Sequence, residues 1–295
     1  MRRRLGVPGI RVLLRLGALC PEGSRRAAAR LLVRLAWPFL ARERRWARQT
    51  LGQARLPFRI PDLGRFLRRV FENFMKAALD LAAVYHRPGL VERLVEEESA
   101  RALERVIKDL HRRWGRVIYV TCHLGNWEVL GAVATRFVPM AAVARRIRVP
   151  QFQRVAEEVR GRLGFRVIYQ DEPLRRMLRF LKEGGALALL PDQDIRHNAG
   201  VFVPFFGRPA YSPLGPAILS YMAQAPVLPA FMPHHGEGYR IITFEPIPPP
   251  PDRRPETLGH YTGLYQRAVE RVVGLYPEQW AWFHPRYRTR PEGER

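Results

Sequence analysis

The spacing of apolar positions changes character near residue 115. Over 61–113 the chain reads as helical: Phe66, Val70, Phe74 and Leu81 supply apolar positions, and Leu90 to Leu110 continue among mixed charges. Arg116 to Thr121 is β-branched and aromatic, which predicts a buried strand ending at Cys122 to Asn126. A helix is expected from about Trp127 to Arg136. Beyond it the two periods alternate. Strands are expected over 138–143, 166–169, 186–190, 227–232 and 239–244. Helices are expected over 150–163, 173–181, 214–224 and 256–275, with a loop across 192–210 and a Pro-rich connection at 246–251. This alternation predicts an α/β fold with a mixed, largely parallel sheet flanked by helices. Its 295 residues suffice for a sizeable core.

The N-terminal stretch follows a different rule. Residues 1–60 hold 15 arginines and only two acidic residues, Glu22 and Glu43. Arg26, Arg30 and Arg34 share one helical face, and Ala28, Leu32, Leu35 and Phe39 lie nearly opposite. With Trp37 and Trp46 nearby, this is the pattern of a helix lying in a membrane interface. Residues 1–60 are therefore expected to form a basic amphipathic membrane-associating region, ahead of a single α/β domain over 61–295. Arg2-Arg3-Arg4 ahead of an apolar stretch resembles a signal peptide, but Arg11 and Arg15 interrupt it. The stretch Leu31 to Ala41 contains Arg34 and Pro38 and falls short of the roughly 20 apolar residues a spanning helix needs. No transmembrane helix is expected.

Charge narrows the partners. The net charge is +23, from 50 Lys plus Arg against 27 Asp plus Glu. Such an excess fits an anionic membrane, an acidic protein or nucleic acid. The absence of a nucleic-acid module, and the coincidence of the arginines with an apolar stripe, argue against nucleic acid. Cys20 and Cys122 have no metal-ligand spacing, so neither a zinc site nor a disulfide framework is implied.

Candidate chemistry centres on His123 and Glu128. His123 follows the strand over 116–121, where the open-sheet rule gathers ligand-binding residues. Gly125 permits a tight turn, Asn126 is a good helix cap, and Glu128 opens the next helix. A carboxylate on one imidazole nitrogen fixes the tautomer, so the other can take a proton from a substrate hydroxyl. Cys122 points to the opposite strand face, which disfavours a Cys–His pair. No G-x-S-x-G, P-loop or G-x-G-x-x-G is present.

The string His123-Leu124-Gly125-Asn126-Trp127-Glu128 resembles the H-x4-D/E motif of glycerolipid acyltransferases, in the version found in the late acyltransferases of lipid A biosynthesis. The mycobacterial phosphatidylinositol mannoside acyltransferases share it. Arg145-Arg146 resembles that family's second block. Pro191-Asp192-Gln193-Asp194, followed by Gly200 to Gly207, resembles its third, and Ala225-Pro226-Val227-Leu228-Pro229 its fourth. Pro277 to His284 resembles its C-terminal signature, although Pro285 replaces the usual basic residue.

The resemblance implies transfer of an acyl chain from an acyl-carrier-protein or CoA thioester to a hydroxyl of a membrane glycolipid. The place implied is the cytoplasmic face of a bacterial inner membrane, with no metal and no resident cofactor. In that scheme His123 is the base and Glu128 holds it. Arg146 binds a phosphate, Asp192 and Asp194 bind sugar hydroxyls or position Arg146, and Asn126 joins them as substrate-binding. His197 and Asn198 are weaker candidates in the same loop. Phe202, Phe205 and Phe206 are candidates for an acyl channel, and His284 for a structural tie. A phosphatidylinositol mannoside is the alternative acceptor.

Overall fold

A computed structural model of the chain describes residues 12, 15, 17, 19–147, 149–195 and 199–293. Arg2 to Arg4, Arg11, His197 and Asn198 lie outside these residues.

Two N-terminal helices, α1 (Arg25–Ala36) and α2 (Ala41–Gln53), flank a 3-10 turn at Trp37–Leu40. A long helix, α3 (Leu63–His86), starts where Asp62 accepts from the Arg65 amide. The short α4 (Leu90–Leu94) and α5 (Glu97–Trp114) lead into strand β1 (Val117–Val120). Then come α6 (Trp127–Ala134), β2 (Met140–Ala144), α7 (Pro150–Arg162), β3 (Arg166–Tyr169), α8 (Leu174–Lys182) and β4 (Ala186–Leu189). A hairpin, β5 (Gly200–Phe205) and β6 (Arg208–Pro213), precedes α9 (Gly215–Ala223) and β7 (Val227–Phe231). The short β8 (His234–His235), β9 (Gly238–Tyr239) and β10 (Ile242–Thr243) lead to α10 (Pro255–Leu275).

The main sheet has the order β10-β7-β1-β4-β2-β3. All its pairings are parallel except β10 with β7. β1 is central, with Ile118 opposite both Leu187 and Val227. Its four residues are buried, so they read as a continuous apolar run. Alternation along β1 divides the core. Ile118 and Val120 pack with residues of α3, α8, α9 and α10, and Val117 and Tyr119 with residues of α4, α5, α6 and α7.

Two elements differ from expectation. The loop expected across 192–210 contains most of the β5–β6 hairpin, in register from Gly200 opposite Pro213 to Phe205 opposite Arg208. Pro204 and Pro209 face each other in it and mask its strand character in the sequence. Phe206 and Gly207, both at positive φ, make its two-residue turn. The single strand expected over 239–244 is divided between β9 and β10. Arg240 pairs there with Glu96, and the Ile241 amide donates to Ser99 Oγ.

The N-terminal helices pack on the domain through α3. Arg25, Ala29 and Val33 of α1 are buried, and Arg25 pairs with Asp80 at 3.0 Å. Ala47 and Leu51 of α2 join the core around Phe66. Leu31, Leu35 and Phe39 are exposed, Phe39 to 83%. The outward stripe on this segment thus runs at i, i+4, i+8, beside the row of the exposed Arg30 and Arg34. No helix among the described residues is long and apolar enough to cross a membrane.

Candidate active site

The turn after β1 is built by close backbone packing. Gly125 has φ +59°, and a Cβ there would lie 2.0 Å from the Met232 carbonyl oxygen, so only glycine fits. The Gly125 amide donates to the Gln279 carbonyl at 3.2 Å, the Asn126 amide to Met232, and the Ala281 amide to the His123 carbonyl. The C-terminal segment 279–281 therefore holds the turn from outside.

His123 is clamped by Asp192, which follows β4. Asp192 Oδ1 is 2.8 Å from His123 Nδ1. Asp192 Oδ2 accepts from the His123 amide at 2.8 Å and from Trp280 Nε1 at 2.9 Å. The carboxylate is fully buried. Burial alone raises its pKa, but the facing His123 and the bonds it accepts outweigh that and hold it at about 2. An ionised acceptor requires Nδ1 to carry the hydrogen, which leaves Nε2 as the basic nitrogen. The adjacent Cys122 thiol is pushed well up by burial and by Asp192, so it stays protonated.

His123 opens on a cavity of about 640 Å3 at the carboxyl ends of the central strands. Its polar wall carries His123, Glu128, Arg145, Arg160 and Gln193. The remainder is mainly apolar, with Tyr119, Leu130, Met140, Phe165 and the small Ala142 and Ala188 among its lining. Alanines on β2 and β4 leave space that larger strand residues would fill.

The expected partners of His123 are redistributed. Glu128 shares the cavity, but its carboxylate is held in a two-point ion pair by Arg160 of α7, at 2.6 and 3.1 Å, and Asp192 takes the orienting bond. Asp192 is thereby committed to the His123 clamp rather than to sugar hydroxyls or to Arg146. Arg146 lies outside the cavity lining. It pairs with Asp171 at 2.9 Å and stacks over Tyr169, and Arg145 faces the cavity instead.

Two further residues are structural in this arrangement. Asp194 is buried and accepts from the Thr289 amide and hydroxyl. Asn126 is buried, caps α6 through the Val129 amide, and donates to Ala77 O and Tyr239 Oη, which leaves it no room for substrate. His284 Nε2 accepts from the Asp194 amide, a tie between the C-terminal segment and the β4 loop. Phe205 and Phe206 belong to the core, Phe202 packs on Tyr211, and none of the three lines the cavity.

Sequence reasoning missed Arg160 in the cavity, and of the pair Arg145-Arg146 it gave the binding role to Arg146. Arg160 lies 32 residues from Glu128, and nothing separates it from the many other arginines until α7 packs against α6. Among the described residues no cluster of His, Cys, Asp and Glu is arranged to hold a metal ion.

A basic imidazole nitrogen backed by a buried carboxylate, beside a mainly apolar cavity, is an arrangement able to take a proton from a substrate that carries an apolar group. Residues 8–289 match the bacterial lipid A biosynthesis acyltransferase family, and the chain belongs to it. The chain is 27% identical to the lipid A biosynthesis palmitoleoyltransferase of Escherichia coli over 98% of its own length and 91% of that enzyme's. It is 35% identical to the E. coli lipid A biosynthesis lauroyltransferase over a shorter match, 41% of this chain and 39% of that enzyme. It is 25% identical to the phosphatidylinositol mannoside acyltransferase of Mycobacterium tuberculosis over 77% and 68% of the two chains. The protein is an acyltransferase.

Proposed function

We propose that the protein transfers a fatty acyl chain from an acyl-carrier-protein or CoA thioester to a hydroxyl of a phosphorylated, lipid A precursor-like glycolipid at the cytoplasmic face of the bacterial inner membrane. The observation that carries this reading is the His123–Asp192 clamp at the mouth of a largely apolar cavity. His123 Nε2 takes the proton of the acceptor hydroxyl as its oxygen attacks the thioester carbonyl. The C–S bond breaks, the proton passes to the leaving thiolate, and an ester remains. The acyl chain occupies the apolar part of the cavity. Arg145, on the polar wall, suits an anionic group of either substrate. The stripe of Leu31, Leu35 and Phe39, with Arg30 and Arg34 in the row beside it, supports membrane docking from one side. Each arginine near an anionic surface adds about 1 kcal/mol to that association.

The test is mass spectrometry of glycolipids from cells with and without the gene, paired with transfer of a radiolabelled acyl chain by purified protein. One acyl chain should disappear from a single lipid on deletion, and His123→Ala should abolish transfer. Unchanged lipids, or full transfer by His123→Ala, would overturn the reading.

A further inference from the structure

A second cavity, also of about 640 Å3, shares no lining residue with the catalytic one. Its walls come from α1, residues 58–62, the start of α3 and residues 275–279. Gln279 joins it to the catalytic turn: its carbonyl accepts from the Gly125 amide, and its side chain accepts from the His234 amide at 2.7 Å.

The lining is cationic. Arg26, Arg59, Arg65 and Arg69 face only two carboxylates, Asp62 and Glu278. Arg69 pairs with Glu278 at 3.0 Å, and Arg26 donates to the Gly236 carbonyl at 2.7 Å and reaches Glu237 at 3.3 Å. Asp62 lies 3.8 Å from Arg65, so with Glu237 set against Arg26 one positive charge remains in excess along the wall, and guanidinium forks suit phosphate.

His234, only 7% exposed, gives the site a second requirement. Its Nε2 lies 3.1 Å from the Asn73 carbonyl, which can only accept, so Nε2 carries the hydrogen. Burial, with the Lys76 ammonium nearby, pulls the His234 pKa down to about 3, so the ring is neutral. Nδ1 is then a bare lone pair, buried and without a partner among the described residues. Only an O–H or N–H can satisfy it, and a fully ionised phosphate offers neither.

We propose that this cavity binds the phosphorylated sugar or polyol headgroup of a membrane lipid, the arginines holding its phosphate and His234 Nδ1 accepting one of its hydroxyls. Position in the fold selects a lipid over a free metabolite. Arg26 belongs to α1, the helix that carries the exposed Leu31 and Leu35, so the cavity borders the element proposed to dock.

The test is binding of the full chain to phosphatidylcholine vesicles doped equally with phosphatidylinositol, which carries phosphate and ring hydroxyls, or with phosphatidylmethanol, which carries the same phosphodiester charge and no O–H or N–H. Phosphatidylinositol vesicles should bind about fivefold more tightly, the worth of one neutral hydrogen bond. Soluble inositol 1-phosphate should displace them where inorganic sulfate, which carries no O–H, does not. Arg59→Gln with Arg65→Gln should weaken phosphatidylinositol binding more than phosphatidylmethanol binding and cut the fivefold preference towards one. His234→Gln, whose amide nitrogen still reaches the Asn73 carbonyl, should erase the preference. Equal binding of the two vesicles, or a preference that survives His234→Gln, overturns the proposal. So does inositol 1-phosphate binding as tightly as the lipid, which would make the ligand a soluble one. If His234→Gln does not fold, the wild-type Nδ1 nitrogen resonance reads the same bond. It should shift when inositol 1-phosphate is added, and a resonance that does not move overturns the proposal.

Discussion

His123 and His234 are each held through one ring nitrogen, but by opposite kinds of partner. His123 gives its Nδ1 to the buried carboxylate of Asp192, and His234 gives its Nε2 to the carbonyl of Asn73. Asp192 fixes the hydrogen of His123 on Nδ1 and leaves Nε2 free to accept one. Burial first, and then the Lys76 ammonium, keeps His234 neutral, against the Asn73 carbonyl, which favours the charged ring. On the two proposals above, similar side chains in one fold serve different work, one to move a proton and the other to accept a hydrogen bond. The difference comes from how deeply each ring is buried and from the charge of the groups around it.

The sharpest way to break this contrast is Asp192→Asn. The amide keeps the shape but no longer demands a hydrogen on Nδ1. His123 is then free to carry its hydrogen on Nε2, where it cannot act as a base. Turnover should fall by about 10^3 to 10^4, the loss seen when a catalytic histidine's carboxylate is removed elsewhere. The measurement is the single-turnover rate of acyl transfer, with thermal melting as a check on folding. A rate within tenfold of wild type would mean that Asp192 does not set the His123 tautomer.

A smaller effect separates place from chemistry. Leu35→Ser with Phe39→Ser removes two residues of the exposed stripe and touches neither histidine. Partial insertion of each residue is worth about 1.4 kcal/mol, so vesicle binding should weaken by about 10^2. Turnover of a detergent-dispersed acceptor should stay at the wild-type level. Vesicle sedimentation and the detergent assay, run on the same preparation, give the two readings. Undiminished sedimentation would remove the stripe from the docking surface.

Smaller still is Glu128→Gln. Glutamine keeps one bond to Arg160 and leaves the guanidinium without its counter-charge, so kcat should fall by about tenfold. A loss as large as that of Asp192→Asn would show that Glu128 leaves Arg160 and takes over the orienting bond to His123 during turnover.

The sequence carries His123 well. It ends an apolar run and precedes a glycine that only this turn requires, so local pattern places it on the carboxyl edge of a parallel sheet. The sequence carries its partner poorly. Glu128, five residues away, is the nearer carboxylate by sequence, and Asp192 is 69 residues away. Parallel pairing of β1 with β4 brings the two strand ends side by side, and no spacing rule contains that pairing. Resemblance to a family picked out the block around Asp192 and gave it a different task. Arg160 was hidden by abundance, since an arginine has no distinctive signal among so many. The outward stripe of α1 was displaced for a related reason. Amphipathic spacing marks an apolar face, but the Arg25–Asp80 pair and the packing on α3 decide how the helix is rolled.

The gentlest probe is acid. The folded pKa of His234 is drawn down to about 3 and that of His284 to about 4, in both cases first by burial, against an ordinary value of 6.5. From pH 6.5 down to about 4, the unfolded chain takes up protons at both residues and the folded chain does not. Stability therefore falls as pH falls through that window, by at most about 1.4 kcal/mol per pH unit for each residue. Asp192 acts lower. Its folded value of about 2 lies under the ordinary 3.8, so its contribution is present above 3.8 and lost as pH drops towards 2. Urea melts across pH 4 to 6.5 should show a sloping stability in the wild type and about half that slope in His234→Gln. Equal slopes would mean that His234 charges freely in the folded protein. The lone pair assigned to its Nδ1 would then be lost, and the contrast with His123 with it, while the clamp on His123 would stand untouched.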